Sequence, residues 1–93
     1  MRVEVRFYAT VMERVGLRSE PVELPDGATV GALLKLLVER YPRLGEQVID
    51  ERGDLMEYLS YAVNSVDILS LKGFATALKD GDVVLLMPPI GGG

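Results

Sequence analysis

The clearest chemical potential in this sequence lies in its last six residues, Pro88-Pro89-Ile90-Gly91-Gly92-Gly93. Glycine has no Cβ, so a run of glycines offers a slender backbone that reaches conformations closed to other residues. The two prolines ahead of them cannot continue a β-ladder and stiffen the chain toward polyproline II. The pattern predicts a projecting stalk with a flexible tip, able to enter a narrow channel. An α-carboxyl at that tip titrates near about pH 3.5 and is ionised at neutral pH. A carboxylate is a poor acyl donor, because its oxygen is a poor leaving group. A separate enzyme can remedy this by consuming ATP to form an acyl-adenylate, from which a nucleophile displaces AMP. The product is a thioester, an isopeptide or a thiocarboxylate. No catalytic side chain is needed on the chain that carries the carboxyl, so Gly93 is the expected reacting residue and the protein is expected to be a substrate.

The remaining composition fits a domain without catalytic side chains of its own. Among 93 residues there is neither His nor Cys. That excludes zinc sites of the usual Cys/His type, Ser-His-Asp triads and Cys-His dyads. No Gly-rich phosphate loop ending in Lys-Ser/Thr is present. No metal and no bound cofactor are expected; ATP would be consumed by the activating enzyme. The net charge of −4 and pI of about 4.7 argue against nucleic acid, which demands a basic face. The longest helical candidate is interrupted by Lys35 and Glu39, so no membrane span is expected. Charges alternate through Arg2, Glu4 and Arg6 where a secretion signal would be apolar, and the expected location is cytoplasmic.

Hydrophobic periodicity supplies the elements. Val3, Val5 and Phe7 alternate with Arg2, Glu4 and Arg6, the period of a half-buried strand. Thr10 is placed to cap a helical turn over residues 11–15 that Gly16 would end. A second strand is expected over Arg18 to Leu24, with Pro21 moving it to an edge. After the Pro25-Asp26-Gly27 turn, Thr29 reads as the cap of the main helix. Its apolar positions Val30, Leu33, Leu34, Leu37, Val38 and Tyr41 form one stripe, and Pro42 stops it. Short strands follow at Leu59 to Val63 and near Val66 to Leu69, with Asn64-Ser65 as the turn between them. Gly81 supplies a positive φ in the Leu78-Lys79-Asp80-Gly81-Asp82 turn, where Asp80 and Asp82 read as turn formers. Val83 to Met87 is apolar throughout and belongs in the middle of a sheet. The fold class is α+β: a mixed sheet of about five strands on one main helix, in a single domain over 1–87 with the Pro/Gly tail over 88–93. Pairing of the first and last strands would make the topology a β-grasp.

Candidate contact residues surround the tail. Phe74, in a loop rich in Gly and Lys, is either an exposed anchor for a partner or a plug for the open end of the sheet. Met87, Pro88 and Ile90 could form an apolar collar, with Met87 better read as core and Ile90 as the contact. Arg6, Arg14 and Arg18 read as solvated charges, and Tyr8, Tyr41, Tyr58 and Tyr61 as core or rim aromatics.

Two stretches carry a family resemblance: Leu78-Lys79-Asp80-Gly81-Asp82-Val83-Val84, and Met87-Pro88-Pro89-Ile90-Gly91-Gly92. Together they resemble the L-x-D-G-D-x-V…P-P-x-x-G-G ending of molybdopterin synthase small subunits, the MoaD-like, ubiquitin-like sulfur carriers. Val5-Arg6-Phe7-Tyr8-Ala9, Pro25-Asp26-Gly27-Ala28-Thr29-Val30 and Ala62-Val63-Asn64 resemble that family too, so the likeness spans essentially the whole chain. It implies a β-grasp whose terminal glycine an adenylating enzyme, related to ubiquitin-activating enzymes, converts to a thiocarboxylate. It further implies insertion of residues 88–92 into the large subunit of molybdopterin synthase and sulfur transfer to a pyranopterin. Three features depart from the usual pattern: a third glycine, Ser65 where glycine is common after Asn64, and a longer loop through Leu71-Lys72-Gly73-Phe74. The longer form resembles members that act as protein modifiers or in tRNA thiolation, which leaves the acceptor open.

Overall fold

A computed structural model describes residues 1–89; the predicted site residues Ile90, Gly91, Gly92 and Gly93 lie outside the described residues. In chain order the elements are β1 (Arg2–Phe7), α1 (Ala9–Val15), β2 (Ser19–Glu23), α2 (Val30–Arg40), α3 (Gly45–Val48), β3 (Ser60–Val63), β4 (Val66–Asp67) and β5 (Val83–Met87). Short 3-10 turns occupy Pro42–Leu44, Ile68–Ser70 and Gly73–Ala75. The sheet runs β2-β1-β5-β3-β4, with β1 and β5 parallel and the other pairs antiparallel. This is the β-grasp: the first and last strands pair at the centre, and α2 crosses one face. Among the described residues no helix is long and apolar enough to cross a membrane.

The core follows from the two periodicities. β1 turns Val3, Val5 and Phe7 inward, and β5 turns Val84 and Leu86 inward. Against them α2 buries Val30, Leu33, Leu34 and Leu37 completely, each worth about 1.5–3 kcal/mol of removed apolar surface. Thr29 caps α2 as expected, its Oγ1 accepting from the Ala32 N–H at 3.2 Å. At Gly31 the helix comes so close to the 3-10 turn near Phe74 that a Cβ would sit 3.2 Å from the Phe74 carbonyl oxygen. α1 starts two residues earlier than Thr10 capping would give. Its cap is Tyr8, without a side-chain hydrogen bond, and Ala9 takes a positive φ of 50° to turn the chain off β1.

The start of β5 is pinned from both sides. Asp80 Oδ1 accepts from the Arg2 N–H at 2.7 Å, and the Gly81 N–H donates to the Arg2 carbonyl at 2.8 Å. Asn64 clamps the other flank. Its Nδ2 donates to Asp82 Oδ1 and its Oδ1 accepts from the Val83 N–H, each at 2.9 Å. Asp82 Oδ2 accepts from the Lys79 N–H at 2.8 Å. Asp80 and Asp82 are thus turn formers, and they set the register of the central strand.

The β3–β4 turn places both Asn64 (φ 50°) and Ser65 (φ 69°) in the left-handed region, as a type I′ hairpin requires. Asn tolerates this conformation, whereas Ser does not favour it. Ser65→Gly is therefore expected to stabilise the fold by about 0.5–1 kcal/mol, and Asn64→Ala to destabilise it by about 1–2 kcal/mol, both read by urea unfolding.

Candidate functional site

β5 delivers the chain to the site. Its ladder to β3 ends at Met87 opposite Ser60, and Pro88 and Pro89, lacking N–H groups, leave the sheet there. Pro88 is half-buried and Pro89 exposed. The parallel pairing brings the end of β1 alongside, with the Tyr8 N–H donating to the Leu86 carbonyl at 3.1 Å. Residues 78 positions apart in sequence, Tyr8 and Leu86, therefore share one rim.

Two grooves flank that exit. One, of about 370 Å³, is lined by Arg6, Tyr8, Met12 and Arg18 on the β1 side. The other, of about 300 Å³, lies between Tyr58 and Leu69 on the β3 side and includes Pro89 itself. Sequence reasoning named neither, reading Arg6 and Arg18 as solvated and Tyr58 as rim. The available signal was the pairing of the first strand with the last, which places residue 8 beside residues 86–87. Arg6 is held by Glu4, Nε to Oε2 at 2.7 Å, a hydrogen bond that raises the guanidinium's pKa further.

Two of the predicted contact residues have instructive placements. The sequence places Met87 in the core; in the structure it is only partly buried and lies outside the core cluster. Alternation in β5 sends Val84 and Leu86 inward and leaves Val83, Leu85 and Met87 half-exposed on the opposite face. The buried apolar side chains of the helices join the cluster on the inner face, so an apolar run in the central strand still shows one side to solvent. Phe74 is half-buried and packs against that cluster. Its ring meets Tyr61 edge to face with centroids 5.8 Å apart, the plug of the two readings.

Tyr61 itself is almost wholly buried, and its hydroxyl has no hydrogen-bond partner among the described residues. Burial pushes its phenol well above the ordinary tyrosine range. Tyr41 is raised as well, chiefly by donating its O–H to Glu20. Neither arrangement resembles a poised acid or base; both are structural.

The comparisons with known proteins match this geometry. The ThiS family profile matches residues 5–93. The chain belongs to the ThiS family. It is 39% identical over 93 residues, the whole of both chains, to small archaeal modifier protein 3 of Haloferax volcanii. It is 30% identical, again over the whole of both chains, to the molybdopterin synthase sulfur carrier subunit of Chlamydomonas reinhardtii. The crystal structure of small archaeal modifier protein 1 from Haloferax volcanii superposes with a TM-score of 0.87, covering all of both chains at 29% identity. Fold and family are those of ubiquitin-like sulfur carriers.

Tyr61 generates a prediction with a definite sign. Its folded pKa lies above the unfolded value of about 10, so its contribution to stability is intact below pH 10 and lost as pH rises beyond it. Tyr61→Phe removes an unpaired buried hydroxyl and is expected to be neutral or stabilising by up to about 2 kcal/mol at pH 7. The variant should also lose stability less steeply than the parent between pH 10 and 12, as followed by chemical denaturation; Tyr41 leaves a residual slope of the same sign.

Proposed function

We propose that this protein is a cytosolic sulfur carrier whose C-terminal carboxyl, at Gly93, is adenylated and then thiocarboxylated. The supporting observation is that the central strand leaves the sheet at Pro88 and Pro89, and that Ile90-Gly91-Gly92-Gly93 follow in the sequence. In the first step a carboxylate oxygen attacks the α-phosphorus of ATP on a separate activating enzyme, and pyrophosphate leaves. In the second, a sulfide nucleophile attacks the acyl carbon and AMP leaves, giving the thiocarboxylate. This chain contributes the reacting group and the surface that guides it; ATP binds the activating enzyme. The minimal cross-section of Gly91-Gly92-Gly93 suits a channel that side chains would block.

The acceptor we assign is a pyranopterin held by the large subunit of molybdopterin synthase, for which this chain would be the small subunit. The full-length likeness to a molybdopterin synthase sulfur carrier subunit supports this. A second reading has its own support in the 39% identity to a small archaeal modifier protein: the activated carboxyl is attacked by a lysine amine of a target protein, forming an isopeptide bond. Delivery of sulfur to tRNA is a further destination for the same thiocarboxylate.

Intact-mass spectrometry after co-expression with the adenylating enzyme of the same genome tests the proposal. Replacement of one terminal oxygen by sulfur is expected, and loss of that product on deletion of Gly92-Gly93. An unmodified mass in the presence of active enzyme and sulfide would overturn the sulfur-carrier reading. Conjugate ladders that vanish with the same deletion would establish the second reading, alone or beside the first.

A further inference from the structure

We propose that the groove between Tyr58 and Leu69 seats an aliphatic side chain flanked by a lysine or arginine, presented by the activating protein that takes the tail. This rests on the tail chemistry proposed above and names the surface that the enzyme would hold. Leu69 is 68% exposed and Tyr58 53% exposed, the two most exposed large hydrophobic residues among those described. Both line the same groove of about 300 Å³, and Pro89 completes it. An occupant would therefore touch the root of the tail.

Leu69 is held outward by its own turn. Asp67 Oδ1 accepts from the Leu69 N–H at 2.8 Å, the Leu71 N–H donates to the Ile68 carbonyl at 2.9 Å, and Ile68 is plugged into the core. A residue whose backbone is fixed before binding has less entropy to lose when its side chain is covered. The Tyr61 hydroxyl, almost wholly buried and without a partner among the described residues, belongs to a residue lining the same groove.

Charge selects the occupant. Glu57 and Asp67 line this groove, and among the described residues its lining holds no Lys or Arg. The groove across the tail has the opposite character, with Arg6 and Arg18. A partner segment carrying both an aliphatic tip and a cation matches the Glu57 side, and the contrast across the tail fixes the roll with which the tail is presented.

The test measures pyrophosphate exchange by the adenylating enzyme of the same genome as this protein's concentration is varied. Leu69→Ser and Tyr58→Ser are each expected to raise the half-saturating concentration about tenfold, with the maximal rate within twofold. Leu71→Ser, an exposed apolar residue outside the groove, should change neither. Glu57→Lys alters only an exposed charge and keeps the test valid if an apolar variant fails to fold. It should weaken half-saturation several-fold at low salt, with the difference shrinking at 0.5 M NaCl. Groove variants that match Leu71→Ser, with an active parent, overturn this proposal and leave the tail chemistry standing. A folded parent that supports no exchange at all overturns the tail chemistry and this proposal with it.

Discussion

The parallel ladder between β1 and β5 is the interaction on which the rest of this structure depends. It runs from Glu4 opposite Val83 to Phe7 opposite Leu86, and it places the end of the last strand beside the end of the first. Every feature of the candidate site inherits its position from that register. Pro88 and Pro89 emerge where Tyr8 turns away, with one groove built on the end of β1 and on α1 and the other on β3 and the turn after β4. The clamp of Asn64, Asp80 and Asp82 holds the register at the opposite end, so groups far from the tail determine where the tail begins.

Covering one face of the sheet has a second consequence. α2 makes the interior and leaves Val83, Leu85 and Met87 half-exposed on the other side. A small domain cannot bury all its apolar surface, and here the surplus lies on and around the strand that feeds the tail. Under the proposed function guidance and chemistry would be separated, the chain offering a carboxyl and a recognisable surround while bond making is left to partners. That division is consistent with a domain lacking His and Cys altogether.

Much of this was legible in the sequence because it is local. The alternation in residues 2–7, the stripe from Val30 to Leu37, the Thr29 cap and the Gly81 turn each depend on a few neighbours. What the sequence could not yield depends on distant pairing. The orientation of Met87 follows from strand parity together with the absence of a second covering layer. The role of Phe74 depends on where Tyr61 lies after the sheet has formed. Thr10 failed as a cap because Ala9 accepts a positive φ at the strand's end, a tertiary demand that local preference does not reveal. The grooves were invisible for the same reason, since residues 6–18, 57–69 and 89 meet only through the sheet. The tail itself was read directly from residue types, because its proposed chemistry needs no neighbours in this chain.

The clamp at the start of β5 joins Arg2 to Asp80 and Asn64 to Val83, linking the two ends of a sequence that is made from one end to the other. A nascent chain that has emerged only as far as Lys79 has neither the clamp nor the middle of its sheet. Contacts of such long sequence separation form late, after the loop between them has been closed. An intact surround at Pro88 and Pro89 therefore reports that the clamp and the middle of the sheet have formed. An enzyme that demanded the surround as well as the glycines would be inspecting its substrate, passing over fragments and misfolded copies that carry the same terminal residues.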